Sequence, residues 1–419
     1  MNFRYNIDDK LSPGATLLYG LQWLMICIPV VLTSTFVAPE GEMVFFTQKL
    51  FALSGLTIIA QVLFGHKMPL VAGPAAVLLM GVIASASQGY DASTIYPSMI
   101  LGGVLVLAVA VCGAMKYLQR IFTPRVVVSI VVLISFTMTK PIVGLLFSDN
   151  EHSLMAFVMA IGGVLVMAWA NKILRGVWKS MVVIVAMILG AVIYYAVAGF
   201  PTSFVKDSVE PQLVLKGMNL DAGVVISFIF CYVALLINQV GSVQSFGDML
   251  GAGGMDRRQT RSLIVTGLSN MIGGATGVLG MVDYSLSPGV VASTSCASRY
   301  TMLPAAVAMV LISLFPQLVS VLLTIPQPVM GAVLLYLMAT QVAAGFHLMQ
   351  TTNAVTSFQE GLVLGTPIII TIILSFMPQE AMTIIPQIIR PIVGNGFVMG
   401  IIVVMVLEHI VLREKSKQR

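Results

Sequence analysis

Fourteen apolar segments separated by short polar connections run the length of this 419-residue chain, and they leave it one class of fold. They lie at 15–37, 46–64, 71–85, 95–114, 126–139, 154–170, 181–200, 222–242, 263–281, 288–297, 303–322, 328–344, 362–376 and 392–412. A helix needs about 20 mostly apolar residues to cross the hydrocarbon core of a bilayer. With 58% hydrophobic and 9% charged residues and a mean hydropathy of +0.98, the chain lacks the ionic surface of a soluble domain. It is read as an all-α polytopic membrane protein of the cell (inner) membrane, with no length left over for a soluble catalytic domain. The segments at 71–85 and 288–297 are too short to cross as helices, which predicts a broken third and a broken tenth span completed by non-helical chain.

The formal net charge of +5 does not point to nucleic acid, because the basic residues are scattered singly and form no patch interleaved with aromatics. Topology accounts for them. With the amino terminus inside, only Lys49, Lys140, Lys206, Lys216 and Arg390 of the 22 Lys and Arg residues fall outside. Cytoplasmic connections are expected to hold the basic residues, so the asymmetry predicts fourteen spans with both termini cytoplasmic. The outer connections instead carry Glu40, Glu42, Asp91, Asp149 and Glu151. Cys27, Cys112, Cys231 and Cys296 all fall in apolar stretches without paired spacing and read as small core residues, neither a disulfide framework nor a metal cluster. The polar start MNFRYNIDDKLSPG shows no cleavable signal.

A faint repeat joins the two halves. RIFTPRVVVSIV at 120–131 and TIPQPVMGAVLL at 324–335 each place a proline turn before a branched apolar run, seven spans apart. The two short spans are also seven apart. An odd offset inverts the second half, as in many secondary transporters, although proline starting a helix would explain each stretch alone. The expected organisation is a first repeat at 1–200, an extracellular connection at 201–221, a second inverted repeat at 222–412 and a cytoplasmic tail at 413–419.

In such a plan the ligand lies near the midplane, where broken helices expose backbone groups. In the third span, Pro69 and Pro74 each remove a donor and Gly73 permits a bend. In the tenth, Ser287-Pro288-Gly289 reads as a helix start with Ser as cap. Two opposed half-helix amino termini would offer free N–H groups to a flat polar ligand without a charged side chain.

These segments resemble the nucleobase–ascorbate transporter family, the uracil, xanthine and uric acid permeases. The stretch Leu286-Ser287-Pro288-Gly289-Val290-Val291-Ala292-Ser293-Thr294-Ser295 keeps the glycine and threonine of that family's tenth-span signature as Gly289 and Thr294. Ala297-Ser298-Arg299 is similar to xanthine members, and INQVGSVQSFGD at 237–248 resembles the family's Glu-x-x-Gly segment with Asn238 at the glutamate and Gly241 kept. Leu21-Gln22-Trp23, Gly73-Pro74-Ala75, Ile325-Pro326-Gln327-Pro328-Val329-Met330-Gly331 and Gly394-Asn395-Gly396 extend the likeness over nearly the whole length. The resemblance implies a core of spans one to four and eight to eleven moving against a gate of the other six. It also implies backbone amides to the ligand from Ala76 and Ser285, with Tyr284 as a stacking ring and Ala75, Asn238, Leu286, Ser287 and Gly289 in the pocket.

The departures bear on mechanism. In the family the eighth-span glutamate bonds the nucleobase and is linked to proton movement, and a second polar residue bonds its other edge. Here those positions are Asn238 and Leu286. Asn offers one carbonyl and one NH2 but takes up no proton. This favours uniport or exchange, or else coupling through Asp283, which the reading places toward the outer end of its span. Gln239 and Ser242 either line the site or bond neighbouring helices. Trp23 is packing or a stacking ring, Asp248 is expected to face the cytoplasm, Glu408 and His409 are expected to snorkel, and the pairs Gly102-Gly103, Gly162-Gly163 and Gly273-Gly274 suit close helix contacts.

The leading function is a nucleobase transporter working by alternating access, either secondary active or facilitative. The alternatives are an anion carrier of the same fold, sulfate permease-like, and a carrier of another small heterocycle without proton coupling. An integral membrane enzyme would need paired aspartates, a His-Glu-x-x-His helix or a Ser and His dyad, and no such pattern is present. No cofactor, metal or nucleic acid is expected. The partners are a small-molecule substrate and the bilayer, and a homodimer is left open.

Overall fold

The computed structural model describes residues 3–113, 123–174, 177–201, 204–209, 212–213, 217–284, 287–378, 380–381, 384–386 and 389–412. In chain order the first half holds α1 (Pro13–Leu32), α2 (Met43–Leu63), β1 (Ala72–Pro74), α3 (Ala76–Ser87), α4 (Ala92–Val111), α5 (Pro124–Thr137), α6 (Thr139–Leu146), α7 (Ser153–Ile173) and α8 (Val177–Ala198). The second holds α9 (Ala222–Leu250), α10 (Met255–Thr276), β2 (Met281–Asp283), α11 (Ser287–Thr294), α12 (Met302–Ser313), α13 (Pro316–Leu322), α14 (Gln327–Thr351), α15 (Phe358–Ser375), α16 (Arg390–Val393) and α17 (Gly396–Val406), which runs into a π turn at Leu407–Val411.

Local chemistry sets most of these starts. Pro occupies the first turn of α1 and α5 behind Ser12 and Thr123, whose hydroxyls accept from Ala15 and Val126 N–H. Asp91 caps α4, Asp221 caps α9, and Ser357 with Glu360 forms a capping box on α15. The amino terminus of α2 is capped from afar, since the Asp207 carboxylate accepts from Val44 and Phe45 N–H, each at 2.8 Å.

Among the described residues, nine helices are long and apolar enough to cross a membrane, or ten if α12 and α13, bent by 104°, count as one span. The other expected spans are helical but fail that test on length or polarity. They are α3 and α17, the eight-residue α11, and α10, whose start MDRRQTR is charged. The third and tenth spans are broken as the sequence predicts.

Two groups of helices pack around separate seams. In the first, α4 lies on α10, where a side-chain carbon on Gly103 would meet Met271 N at 2.7 Å and one on Gly274 would meet the Tyr96 carbonyl at 2.8 Å. This group also joins α1 and α2 to α12, and α3 to α9. In the second, α14 packs on α5, α6, α7 and α8, and α15 on α5 and α17. The expected glycine contacts therefore hold for Gly102-Gly103 and Gly273-Gly274. They do not hold for Gly162-Gly163, which have nothing within 4 Å of an added carbon.

Candidate functional site

The two broken spans meet at a crossing. β1 and β2 pair antiparallel with Ala72 opposite Asp283, Gly73 opposite Val282 and Pro74 opposite Met281. Backbone bonds extend the ladder at both ends, from Ala75 N to the Gly280 carbonyl at 2.9 Å and from Tyr284 N to the Val71 carbonyl at 2.8 Å. Each strand then runs into a half-helix, β1 into α3 and β2 into α11, so both amino termini lie at the crossing. Ser287, expected as a cap, instead accepts from Val71 N–H at 2.9 Å and ties α11 to the other strand. Tyr284 is half-buried, and its hydroxyl donates to the Pro74 carbonyl. Its ring lies against Gly73, where an added carbon would sit 3.1 Å from the ring and 2.7 Å from Val30.

The start of α3 is open chemically. Its N-cap, Ala75, is extended and no side chain caps the helix. The Ala75 carbonyl takes Leu78 and Leu79 N–H, which leaves Ala76 and Val77 N–H without helical acceptors. This is the positive end of the helix dipole, suited to an acceptor or anionic edge of a ligand.

Asn238 reaches the same level from α9. Its neighbour Gln239 bonds Asp283, which pairs with Ala72, so this turn of α9 stands beside the crossing. The half-buried Asn238 lies seven residues, about two turns, beyond Cys231 on the face that meets Gly81 of α3. Among the described residues its side-chain amide has no hydrogen-bond partner, which leaves a donor and an acceptor for a ligand edge.

Gln239 turns the other way. It is fully buried, its oxygen accepts from Asp283 N–H at 2.8 Å, and its NH2 donates to Ser262 Oγ at 2.8 Å and to the Asp283 carboxylate. Both polar atoms are engaged, so the structure assigns Gln239 to the bonding of neighbouring elements and not to the ligand face. Ser242 is buried on the same helix. Ala75 is buried and Ala76 half-buried at the α3 start. Gly289 lies in the first turn of α11, while Ser285 and Leu286 lie outside the described residues.

Asp283 corrects the sequence reading. It is 1% exposed, and its Oδ2 lies 3.4 Å from Nε2 of His66 just past the carboxyl end of α2, the end the charge asymmetry assigns to the cytoplasm. It is therefore buried against His66 and is not an exposed loop residue. His66 is the residue that sequence reasoning missed. Fully buried, it follows an apolar run and precedes Lys67, a context that reads as a connection.

Trp23 is 3% exposed and donates to Thr301 Oγ1 at 3.1 Å, so it packs. Asp248 is exposed and accepts from Gln244 at 2.8 Å. Glu408 does not snorkel, since it is buried and lies 3.4 Å from Arg125. Cys112 is exposed, unlike Cys27, Cys231 and Cys296. A cavity of about 390 Å³ runs along the second half of α3 between the two helix groups, bounded by Phe36, Gln88, Lys140, Asn395 and Phe397, and stops short of the crossing. Among the described residues, no cluster of His, Cys, Asp or Glu could hold a metal.

The Permease family model Xan_ur_permease matches residues 14–380. The chain belongs to this family. It is 21% identical to a xanthine permease of Bacillus subtilis, over 97% of this chain and 95% of that one. It is 23% identical to the xanthine permease XanP of Escherichia coli, over 82% of this chain and 81% of that one. The fold is that of the transmembrane domain of a cyanobacterial bicarbonate transporter, BicA, with a TM-score of 0.64 at 14% identity over 88% of this chain and 98% of that one. The murine anion transporter Slc26a9 in its inward-facing state gives 0.62 at 13% identity, over 94% of this chain and 68% of that one. This permease is a multi-pass membrane protein.

Proposed function

We propose that this permease carries a nucleobase of the xanthine, purine or uracil type across the cell membrane by alternating access, and performs no chemical transformation. The reading rests on one juxtaposition: the uncapped amino terminus of α3 and the unpartnered amide of Asn238 at one crossing of two broken spans. A nucleobase presents donors and acceptors on the edge of a flat ring. Backbone N–H groups of Ala76 and Val77 take an acceptor on one part of that edge, and Asn238 takes a donor–acceptor pair on another. Tyr284 supplies a ring beside the crossing. The helix group containing α1 to α4 and α9 to α13 carries this site and moves against the group containing α5 to α8 and α14 to α17, as two inverted repeats joined at 201–221.

The membrane orientation belongs to the same proposal, with both termini cytoplasmic. On a Cys112→Ala background, a cysteine at Asn150 should label from outside intact cells and one at Lys172 should not. Labelling at position 172 would overturn the topology. Substrate class is read by thermal shift of the purified permease against uracil, xanthine, hypoxanthine, guanine, urate, sulfate and bicarbonate, since a ligand that binds only the folded state raises the melting temperature with concentration. A nucleobase response supports the reading. A response to sulfate or bicarbonate alone replaces it with an anion carrier.

A further inference from the structure

Five polar side chains are sealed in the first helix group behind the crossing: Gln61 and His66 from the end of α2, Gln239 from α9, Ser262 from α10 and Asp283 from β2. Their exposures are 0%, 0%, 0%, 0% and 1%. The Asp283 carboxylate is unevenly served. Its Oδ2 accepts from Gln239 NH2 and from Ser262 Oγ at 3.3 Å, and faces His66 Nε2 at 3.4 Å. Its Oδ1 is buried with no partner, and His66 Nε2 makes no full hydrogen bond. A buried group left this way is costly in a membrane interior, and ionisable residues there mark functional sites by default.

The tautomer of His66 follows from its other nitrogen. Met68 N–H donates to Nδ1 at 3.0 Å, so the proton of the neutral ring sits on Nε2, aimed at Asp283. The groups facing the pair are few. From the α2 end they are Gln61, whose oxygen lies 3.4 Å from His66 N, and the backbone of Lys67. From α10 come Ser262 and Arg258, whose guanidinium donates to the His66 carbonyl at 2.7 Å and the Lys67 carbonyl at 3.1 Å. From α9 there is Gln239, and β1 offers only Ala72, Gly73 and Pro74. Among the described residues, Asp283 therefore has no side-chain cation against it except a protonated His66.

We propose that Asp283 and His66 form a proton-binding pair that carries the coupling ion of transport, in place of a titratable side chain at Asn238. A hydronium ion from the aqueous phase gives one proton to the bare Oδ1 of Asp283: one O–H bond of the hydronium breaks, the carboxyl O–H forms, and a water molecule is left. The carboxylate becomes a neutral acid, and the pair gains one positive charge. The change reaches the ligand site through contiguous bonds. Asp283 holds Gln239 by both backbone and side chain, Gln239 adjoins Asn238, and β2 fixes the β1 crossing from which α3 starts. Neutralising Asp283 weakens its hold on Gln239 and Ser262 and frees the crossing to shift. This rests on the transport reading, and it turns the preference for uniport toward proton coupling.

Infrared pH titration of the purified full-length permease tests the pair without any substrate. A protonated-carboxyl band should appear on acidification, disappear in Asp283→Asn, and move its midpoint in His66→Gln. In proteoliposomes without internal xanthine, the parent should accumulate labelled xanthine under an inward proton gradient, with counterflow read separately in xanthine-loaded vesicles. Both variants should drop to equilibration while keeping xanthine counterflow, a split that a folding defect would not give. A band unchanged by Asp283→Asn, or gradient-driven accumulation that survives it, overturns the proposal. Loss of xanthine counterflow in the parent, with the Asp283 band intact, overturns the substrate reading and leaves the proton site standing.

Discussion

Among its described residues the permease buries two ionic clusters, and they are built to different rules. In the second helix group, Arg125 at the start of α5 reaches Glu360 at 2.6 Å and Glu408 at 3.4 Å, and donates to the Ala354 carbonyl at 3.1 Å. Glu360 also accepts from the backbone of Ser357 at 3.0 Å and from the Thr356 hydroxyl at 2.8 Å. Every carboxylate there has a cation, and the cluster clamps α5, α15 and the last turn together. At the crossing, Asp283 has neutral donors on one oxygen and none on the other. A saturated cluster fixes one arrangement, whereas a cluster with an idle acceptor can exist in two charge states. The first reads as a structural clamp and the second as a working part.

The largest expected effect breaks the clamp. Arg125→Ala leaves Glu360 and Glu408 buried without their cation, and removing one partner of a buried pair costs about 3–5 kcal/mol. Thermal unfolding in detergent should show a large drop, and a parent-like melting curve would deny the cluster its structural role. At the crossing the signature is reversed. Asn238→Ala should weaken nucleobase binding by roughly 1–3 kcal/mol, the cost of an unmet buried partner, while the melting temperature stays near the parent's. Calorimetric titration checks this, and unchanged affinity would remove Asn238 from the site.

A smaller effect comes from the remote cap on α2. Asp207→Ala frees Val44 and Phe45 N–H and should cost about 0.5–2 kcal/mol, the range for a lost helix cap. The smallest lies at the surface. Hydrogen bonds from Tyr194 and His152 hold the Asp149 carboxyl below its ordinary value. A group depressed on folding stabilises above its unfolded pKa, and that contribution fades as the pH falls through the lower folded value. Asp149→Asn should therefore lower stability slightly near neutrality and flatten its acid limb. An acid limb identical to the parent's would show that the Asp149 bonds are idle.

The same contrast shows what the sequence could reveal. Long apolar runs fixed the helices, and two runs too short to span revealed the broken pair. Gly73-Pro74-Ala75 and Ser287-Pro288-Gly289 located the crossing, because a bend without donors needs those residue types. The three-residue strands themselves have no periodicity to read. Asp283 was visible as an acid near a span, but its partner is 217 positions away, and a single histidine beside Lys67 carries no local sign of burial. Gln239 could not be told from Asn238 by pattern. Adjacent positions on a helix point about 100° apart, and only the packed structure shows which faces the ligand and which the core.

The most direct test of the central claim is xanthine counterflow in proteoliposomes holding the parent or Asn238→Leu, with sulfate and bicarbonate as parallel substrates. The parent should exchange xanthine, Asn238→Leu should show a marked loss at unchanged melting temperature, and neither anion should exchange. A parent that exchanges sulfate or bicarbonate but not xanthine would contradict it, as would an Asn238→Leu variant that exchanges xanthine at the parent's rate.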